Sequence, residues 1–455
     1  MNRRNNTWLP AALLGALLVS QTSALQAAVT ADEARKLGTS LSLVGAERAG
    51  NADGSIPAYS GGLAAAPAGY DKARGVRPDP FANEKPQFSI DARTIDKHAD
   101  KLTEGTKALM KAYAGFRIDV YPTHRTAAYP KFVLDQTVKN ATQTRLSADG
   151  LSIEGAGPGV PFPMPGNGNE VMFNYLANFQ GVAFVLPRYS AYNVDAGGHQ
   201  VLTAQGVWSQ DMPYFDPARA ADNLLVRSRA AYSGPARRNG EALLAIEPKD
   251  YTKADSRAWQ YLPGQRRVRL APDIAYDTPN SSTAGMSTYD DVLLFNGKLD
   301  RFDFKLVGKK EIYVPYNTYR FTYHDKPDEV LQPRFINPDV LRWELHRVWV
   351  VDATLKKGQR HVYSRRTFYL DEDSWTLLAS DQYDGRGALW RPGFSYFTQS
   401  YDVPAPSNIA SGHYDLVAGT YYINTWPGAG GMKVFDALLP ELSWAPDSLA
   451  GKGVR

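Results

Sequence analysis

The chain has 455 residues, with 51 Lys and Arg against 47 Asp and Glu, and it contains no cysteine. This even charge balance argues against a nucleic-acid partner, because phosphate binding requires a basic surplus on one face. The lack of cysteine excludes disulfides, thiolate metal sites, cysteine nucleophiles and the lipid-attachment cysteine of a bacterial lipoprotein.

The first element predicted along the chain is an export signal, residues 1–27. Arg3 and Arg4 precede an apolar run over residues 9–19 that is too short to span a bilayer, and small residues around Ala27 offer a cleavage site. A Sec signal is favoured over a twin-arginine one, because no apolar residue follows the arginine pair directly. We expect a mature protein in the periplasm, either free or peripheral at the outer membrane. No later run reaches the roughly eighteen apolar residues of a membrane-spanning helix.

Residues 28–168 are predicted to form a helical, loop-rich N-terminal extension. Thr30 and Glu33 form a capping-box pattern that begins a short helix, and apolar residues at helical spacing predict a helix over residues 94–114. The Gly- and Pro-rich stretch 155–168 contains no G-x-G-x-x-G pattern, so we reject a nucleotide-binding loop there.

Residues 169–455 are predicted to form a mainly β domain, and one continuous domain over residues 28–455 is the alternative. Asn169 is predicted to cap a helix, and Asp216 with the proline after it predicts another. No helix of consequence is predicted over residues 259–390, which excludes alternating β–α architecture and favours a wide, curved antiparallel sheet.

The predicted register of one hairpin in this sheet determines the expected positions of two histidines. A turn at Lys357 is predicted to pair His346 with about Phe368 and to leave His361 near Ala353. The two histidines are then about 25 Å apart along the sheet, too far to share a metal ion. We interpret them as isolated histidines.

The chain has no recognisable catalytic motif. It lacks a G-x-S-x-G elbow, an H-E-x-x-H motif and a Walker loop, and we predict no cofactor and no metal. The acidic run at residues 371–373 is interpreted as a solvated turn. A glycosidase pair stays open, because two carboxylates about 5 to 9 Å apart would suffice and sequence alone cannot place them.

The aromatic residues of the strands have two interpretations. They are either plain core, because a sheet of this size must bury one face, or the lining of a concave apolar cleft. The predicted cavity-lining residues are Trp259, Tyr261, Phe302, Phe304, Trp343, Trp349 and Phe368. A basic strand is predicted either to be solvated or to contact an acidic partner or lipid head group. Its residues are Arg266, Arg267 and Arg269.

Several strings along the chain resemble those of one family. They are VGAE at residues 44–47, GNADGSIP, GVPFPMP, NGNEVMFN, YLPGQRRVR, GKKEIYVPYN, LHRVWVVDATLK, FYLDEDSW and YDGRGALWR. They follow in order over nearly the whole mature chain, and they resemble a family of exported proteobacterial proteins catalogued as domain of unknown function 1329.

The resemblance implies a fold similar to LolA and LolB, the periplasmic lipoprotein carriers. The expected fold class is therefore α+β and β-dominated, with a large curved antiparallel sheet, or half-barrel, whose concave face is covered by helices. LolA-type carriers are less than half as long, so the N-terminal extension has no counterpart in them. The family is often encoded near RND-type exporters and outer-membrane proteins, which implies the handling of hydrophobic cargo.

Three functions follow, in order of preference. The first is a non-catalytic periplasmic or outer-membrane-associated carrier or accessory protein that binds a lipid-like hydrophobic ligand. The second is an envelope protein that docks an RND-type exporter or an outer-membrane barrel. The third is a hydrolase of a hydrophobic or glycan substrate, which needs a convergent acid–base pair in a cleft.

Overall fold

The computed structural model describes residues 29–452, except Gly69 and Asp273. The predicted export signal lies outside the described residues. Strands dominate, and the α-helices are short. The α-helices are α1 Ala31–Ala34, α2 Glu104–Ala112, α3 Lys131–Gln143, α4 Gly168–Leu176, α5 Tyr319–Thr322 and α6 Pro327–Val330. The strands are β1 Phe88–Ile90, β2 Ile118–Val120, β3 Arg145–Leu146, β4 Ile153–Glu154, β5 Ala183–Val194, β6 Gln200–Asp211, β7 Val226–Gly234, β8 Ala242–Glu247, β9 Arg257–Leu262, β10 Arg267–Leu270, β11 Phe302–Pro315, β12 Trp343–Leu355, β13 Arg365–Asp371, β14 Leu377–Tyr383, β15 Leu389–Ser395, β16 Thr398–Ser400, β17 Ala405–Ser407, β18 Ser411–Asp415, β19 Thr420–Trp426 and β20 Lys433–Phe435.

The connections carry 3₁₀ helices. These are Ile95–Lys101, Pro213–Phe215, Pro217–Arg219, Ala236–Arg238, Pro263–Gln265, Ser281–Thr283, Tyr289–Leu294, Pro338–Val340, Gly428–Gly430, Glu441–Trp444 and Pro446–Lys452. Within the described ranges, no helix is both long and apolar enough to cross a membrane.

One sheet of sixteen strands organises the protein. Its order is β1-β2-β12-β13-β14-β15-β18-β19-β5-β6-β7-β8-β9-β10, with β11 added to β12 and β20 added to β5. The strand pairs are antiparallel except for one parallel contact between Val120 of β2 and Trp343 of β12. The sheet is open, since β1 and β10 end its path. The predicted fold class is therefore confirmed.

The sheet is strongly curved, because strands far apart in its order bury side chains in one core. Ala230 of β7 and Phe368 of β13 belong to the same buried cluster, and Phe173 of α4 packs among them. This inner core fills the concave face, and α4 covers it. A second core lies on the opposite face, where Leu109 of α2 packs with Val348 of β12. The sheet is thus buried on both faces over much of its area.

The local helix signals are confirmed in part. The capping box of Thr30 and Glu33 begins α1. The helix predicted over residues 94–114 is interrupted, because Thr103 caps a new helix, α2, after a 3₁₀ segment. The cap of α4 is Asn167 rather than Asn169. Asp216 caps only a 3₁₀ turn.

The hairpin of β12 and β13 forms as predicted, but in a different register. Phe368 lies opposite Val351, not His346, and Asp371 lies opposite Val348. The predicted register is wrong because the connection is a long loop, which begins after Leu355 donates its backbone N–H to Ser364 O at 2.9 Å. The true register brings His346 beside the acidic run at residues 371–373.

The two halves of the chain interpenetrate. β1 and β2 extend the main sheet beyond β12, and Val133 of α3 lies in the inner core with Phe173 of α4. The division into residues 28–168 and 169–455 stays a prediction, beside the alternative of one continuous domain.

Candidate ligand-binding cavity

A cavity of about 590 Å³ lies between the concave face of the sheet and the connection that follows β10. One wall is the sheet from β6 to β9, a second is the end of α4, and the third is formed by residues 272–300, here called the covering segment. The volume lies in the range of small-molecule pockets, about 300 to 1,000 Å³.

The alternation of β8 sets which side chains enter the cavity. Leu243, Ala245 and Glu247 line it, whereas Ala242 and Leu244 point to the opposite face of the sheet. Further apolar residues complete the lining. They are Met212, Leu225 and Val226 from the sheet region and Ile274, Val292, Leu293 and Phe295 from the covering segment. An apolar ligand group in this space would have much of its surface removed from water.

Hydrogen bonds join the covering segment to α4. The hydroxyl oxygen of Tyr175 lies 2.8 Å from Leu293 O and 2.8 Å from Phe295 O, and its one proton is shared between these two acceptors. Tyr175 itself lines the cavity and is 6% exposed. The covering segment is thereby fixed to the helix at the apolar part of the cavity.

A buried ion-pair network fixes the covering segment to the sheet. Arg366 of β13, which is 0% exposed, contacts Asp290 at 2.8 Å and Asp291 at 3.0 Å. His361 Nε2 lies 2.9 Å from the same carboxyl group of Asp290. Burial alone would raise the pKa of Asp290, but Arg366 and His361 hold it well below its usual range. His361 is therefore not an isolated histidine, contrary to the sequence-based interpretation.

Glu247 is the carboxyl group set most directly among apolar lining. Its Oε2 accepts a hydrogen bond from Tyr251 at 3.0 Å and another from Ser256. Burial raises the pKa of Glu247, although both hydroxyl donors oppose the shift. The other carboxylates of the lining have partners, since Asp255 pairs with Lys298 and Asp300 accepts from a tyrosine.

None of the seven aromatic residues predicted for the cavity lines it. Trp259 and Tyr261 lie on the outer face of β9, in a cluster with Trp444. Tyr261 pairs with Ala242 and Trp259 with Leu244, and these partners share that outer face.

The remaining predicted aromatic residues are core. Phe302, Phe304 and Phe368 belong to the inner core, and the rings of Phe304 and Phe368 lie 5.9 and 5.5 Å from that of Phe295. They therefore form a second layer behind a cavity residue. Two tryptophans lie elsewhere: Trp343 packs in the outer core, and Trp349 stacks on a buried tryptophan of the β13–β14 turn. A ligand-binding role for these residues stays a prediction.

The predicted basic contact residues lie at the free edge of the sheet. Arg266 occupies the turn before β10 with φ 47°, and Arg267 and Arg269 are exposed on β10, the last strand of the path. None of the three forms an ion pair with a described residue. Ala258 of the neighbouring strand β9 lines the cavity.

The acidic run at residues 371–373 is buried, so its interpretation as a solvated turn is wrong. All three residues are at most 2% exposed. Arg125 donates two hydrogen bonds of 2.7 Å to Asp373, and Lys309 lies 2.7 Å from Glu372. The run tolerates burial because every carboxylate in it meets a cation or a hydrogen-bond donor.

The N-terminal part of the chain covers this turn. Val44 O accepts a hydrogen bond of 3.0 Å from the indole of Trp375, and Glu47 N–H donates to Glu372 at 3.2 Å. A β-carbon on Gly45 would lie 1.7 Å from Pro163 O, so only glycine fits there. The family strings VGAE, GVPFPMP and FYLDEDSW thus meet in one buried place.

His346 also belongs to this cluster, and it is 1% exposed. His346, Asp371 and Asp373 offer atoms within 4.8 Å of one another, a spacing that could hold a metal ion. Arg125 already binds both oxygens of Asp373, however, so the cluster is charge-compensated as it stands. Burial and the neighbouring Asp373 raise the pKa of Asp371 to about 6, which His346 opposes.

The covering segment was missed from the sequence. Its composition is that of a turn-rich loop, and its apolar residues follow no periodic pattern that would predict a cavity wall. The available signal was its length, because an irregular connection of more than about 15 residues between strands is uncommon and is often functional.

The fold and the cavity define a class of protein: a β-dominated, open curved sheet that encloses an apolar cavity under a covering segment. The chain belongs to the family described as protein of unknown function (DUF1329), which matches residues 89–450. The family predicted from the sequence strings is thereby confirmed. Over 445 residues, 95% of each chain, it is 41% identical to the uncharacterized protein PA3922 of Pseudomonas aeruginosa.

Three solved structures are similar to parts of this chain. A putative outer membrane lipoprotein-sorting protein domain from Vibrio parahaemolyticus is 14% identical over 62% of this chain and 97% of its own, with TM-score 0.41. A DUF1329 family protein from Desulfovibrio piger is 16% identical over 59% of this chain and 92% of its own, with TM-score 0.40. A LolA superfamily protein from Nitrosomonas europaea is 11% identical over 62% of this chain and 100% of its own, with TM-score 0.36.

Proposed function

We propose that this protein is a cell-envelope carrier that binds a hydrophobic, lipid-like ligand in the cavity under the covering segment, without converting it chemically. The observation that carries the proposal is the cavity itself, about 590 Å³ with largely apolar walls. A buried apolar group contributes about 25 cal/mol per Å² of surface removed from water, enough for micromolar binding of one acyl chain. The export-signal pattern of residues 1–27 supports the envelope location.

The architecture also suits a carrier, because ligand entry requires a movable wall. The covering segment is irregular, and its attachments are individual side-chain contacts. They join it to Tyr175 and Arg366, and to Asn193 of β5 and Thr203 of β6, which donate to Thr283 O and Ser282 O. The opposite wall is continuous sheet. Opening would therefore move the covering segment and leave β6 to β9 in place.

Binding of N-phenyl-1-naphthylamine, an uncharged fluorescent hydrophobe, tests the proposal. The purified protein is expected to enhance its fluorescence saturably, with a dissociation constant on the order of micromolar. Organic extraction of protein purified from the periplasm, followed by mass spectrometry, would identify the co-purifying ligand class.

A cavity-filling variant locates the binding. Leu243→Trp combined with Ala245→Phe places two large side chains on the cavity face of β8 and should weaken probe binding by about tenfold or more, or 1.4 kcal/mol. Val207→Trp is the matched control, because Val207 is 40% exposed and does not line the cavity. Equal binding by the filled variant and the control would contradict the proposal.

A second function, docking on an envelope partner, rests on the edge strand β10. We propose that Arg267 and Arg269 contact an acidic protein surface, because they are exposed beside the cavity wall and form no described ion pair. Crosslinking in membranes should give an adduct from the wild-type protein and none from Arg267→Glu with Arg269→Glu. Ligand binding unchanged in that variant would separate docking from carriage.

A further inference from the structure

The cavity contains polar atoms that lack a hydrogen-bond partner within the described part of the protein. Asn178 lines the cavity, is 2% exposed, and has neither its amide nitrogen nor its amide oxygen bonded. Gln180 Oε1 and Trp208 Nε1, on two other lining residues, are also buried and unpaired. Leaving such groups unpaired is costly, and a ligand in the cavity is placed to supply the partners.

Neighbouring strands add further polar side chains to the lining. Gln210 of β6 lies opposite Ser228 of β7, and both line the cavity. Glu247 follows on β8 opposite Val226, with Oε1 free of any hydrogen bond to a described residue. The sheet and the residues that follow α4 therefore present amide, hydroxyl, indole and carboxyl groups, which together donate and accept hydrogen bonds.

The described lining residues include two cations, Lys298 and Arg257, and neither presents an unpaired charge to the cavity. Lys298 Nζ lies 2.9 Å from Asp255. Arg257 is exposed, and its guanidinium lies 5.5 Å from the ring of Trp259 on the outer face of the sheet. An anionic group inside the cavity would therefore be buried without a counter-charge, which is unfavourable.

We infer that the cavity selects amphiphiles whose polar group is uncharged and can both donate and accept hydrogen bonds, such as a hydroxyl or an amide, over those with a carboxylate or a phosphate. This inference rests on the proposed carrier function and specifies its ligand class. Asn178, Gln180 and Gln210 hold the polar group, and the apolar walls take the chain. Burial raises the pKa of Glu247, which lowers the cost of protonating its carboxyl group beside a ligand.

Competition among three ligands with the same acyl chain tests the inference. Monolauroylglycerol, laurate and lauroyl-lysophosphatidylglycerol are each titrated against bound N-phenyl-1-naphthylamine, below their critical micelle concentrations. Monolauroylglycerol is expected to bind at least about tenfold more tightly than either anion, because only the anions bury an unpaired charge. Anions that compete equally well would overturn the inference while leaving the carrier function intact. Failure of the fluorescent probe to bind at all would instead refute the carrier function.

Two leucine substitutions locate the polar contact. Asn178→Leu should weaken monolauroylglycerol binding by about tenfold while the probe still binds, because leucine cannot hydrogen-bond to the glycerol. Asn239→Leu is the control, because Asn239 is exposed and does not line the cavity. An unchanged glyceride preference in Asn178→Leu would count against this residue, and the wild-type competition decides the inference if that variant fails to fold.

Discussion

Replacing Asp381 by asparagine should remove a large pH-dependent loss of stability. Asp381 lies in β14, is 1% exposed and contacts the start of α2. Its Oδ1 accepts a hydrogen bond of 2.9 Å from the backbone N–H of Gly105, and its Oδ2 accepts one of 3.1 Å from the hydroxyl of Tyr369. Burial raises the pKa of Asp381 to about 7, although both donors oppose the shift and the nearby charge of Glu104 adds to it.

The sign and size of the effect follow from the difference between the folded and unfolded pKa. The pKa is 3.8 in the reference state and about 7 in the folded protein, so the folded state binds this proton more tightly. Its contribution to stability is complete below pH 3.8 and is lost as the pH rises through 7. At about 1.36 kcal/mol per unit, the loss approaches about 4 kcal/mol as an upper value.

Asparagine resembles the protonated acid in shape and cannot ionise. Its amide oxygen can still accept from Gly105 N–H, and its amide nitrogen can donate to the Tyr369 hydroxyl. We expect the wild type and Asp381→Asn to have similar free energies of unfolding near about pH 4, and the variant to be more stable by about 2 to 4 kcal/mol near about pH 8.

Urea denaturation followed by tryptophan fluorescence, repeated across this pH range, measures the difference. Other titrating groups such as Asp371, whose pKa is raised to about 6, are common to both proteins and cancel in the comparison. Asp303→Asn, on an exposed position of β11, is the control and should give a curve parallel to the wild type. Parallel curves for Asp381→Asn as well would show that Asp381 stays ionised in the fold, and the reasoning from burial would be refuted.

Three further predictions concern the contacts that hold the fold and the covering segment. Arg125→Met should lower the free energy of unfolding by about 3 to 5 kcal/mol, because it leaves the buried carboxylate of Asp373 unpaired. Adding Asp373→Asn should restore part of this loss. If the effects of the two substitutions on the free energy of unfolding simply add, the pairing is contradicted. Gly45→Ala should lower the melting temperature by several degrees, since the new β-carbon would lie 1.7 Å from Pro163 O and the residue has φ 92°; an unchanged melting curve would argue against this close approach. Tyr175→Phe removes both hydroxyl contacts to the covering segment. The backbone amides of that segment should then exchange hydrogen about tenfold faster, while exchange in β12 stays unchanged. Exchange in the covering segment at the wild-type rate would mean that these contacts do not restrain it.

The sequence alone determined the features of the fold that depend on residues close together in the chain. Alternating side chains predict the long strands β11 and β12, and the lack of helical periodicity between residues 259 and 390 predicts an antiparallel sheet. The capping box at Thr30 uses atoms only three residues apart, so it too is readable. The family was likewise determined by strings of neighbouring residues, which need no tertiary contact to be recognised.

Only the tertiary structure decided register, burial and the position of the cavity. The acidic run at residues 371–373 has the local pattern of a solvated turn, and it is buried because Arg125, some 250 residues earlier in the chain, supplies its counter-charge. Alternation divides β9 into two faces but does not say which face is concave. Only the tertiary structure shows that Trp259 and Tyr261 pack with Trp444 on the outer face. The physical reason is the same in each case: periodicity is a property of neighbouring residues, whereas burial depends on distant segments that meet only when the sheet curves.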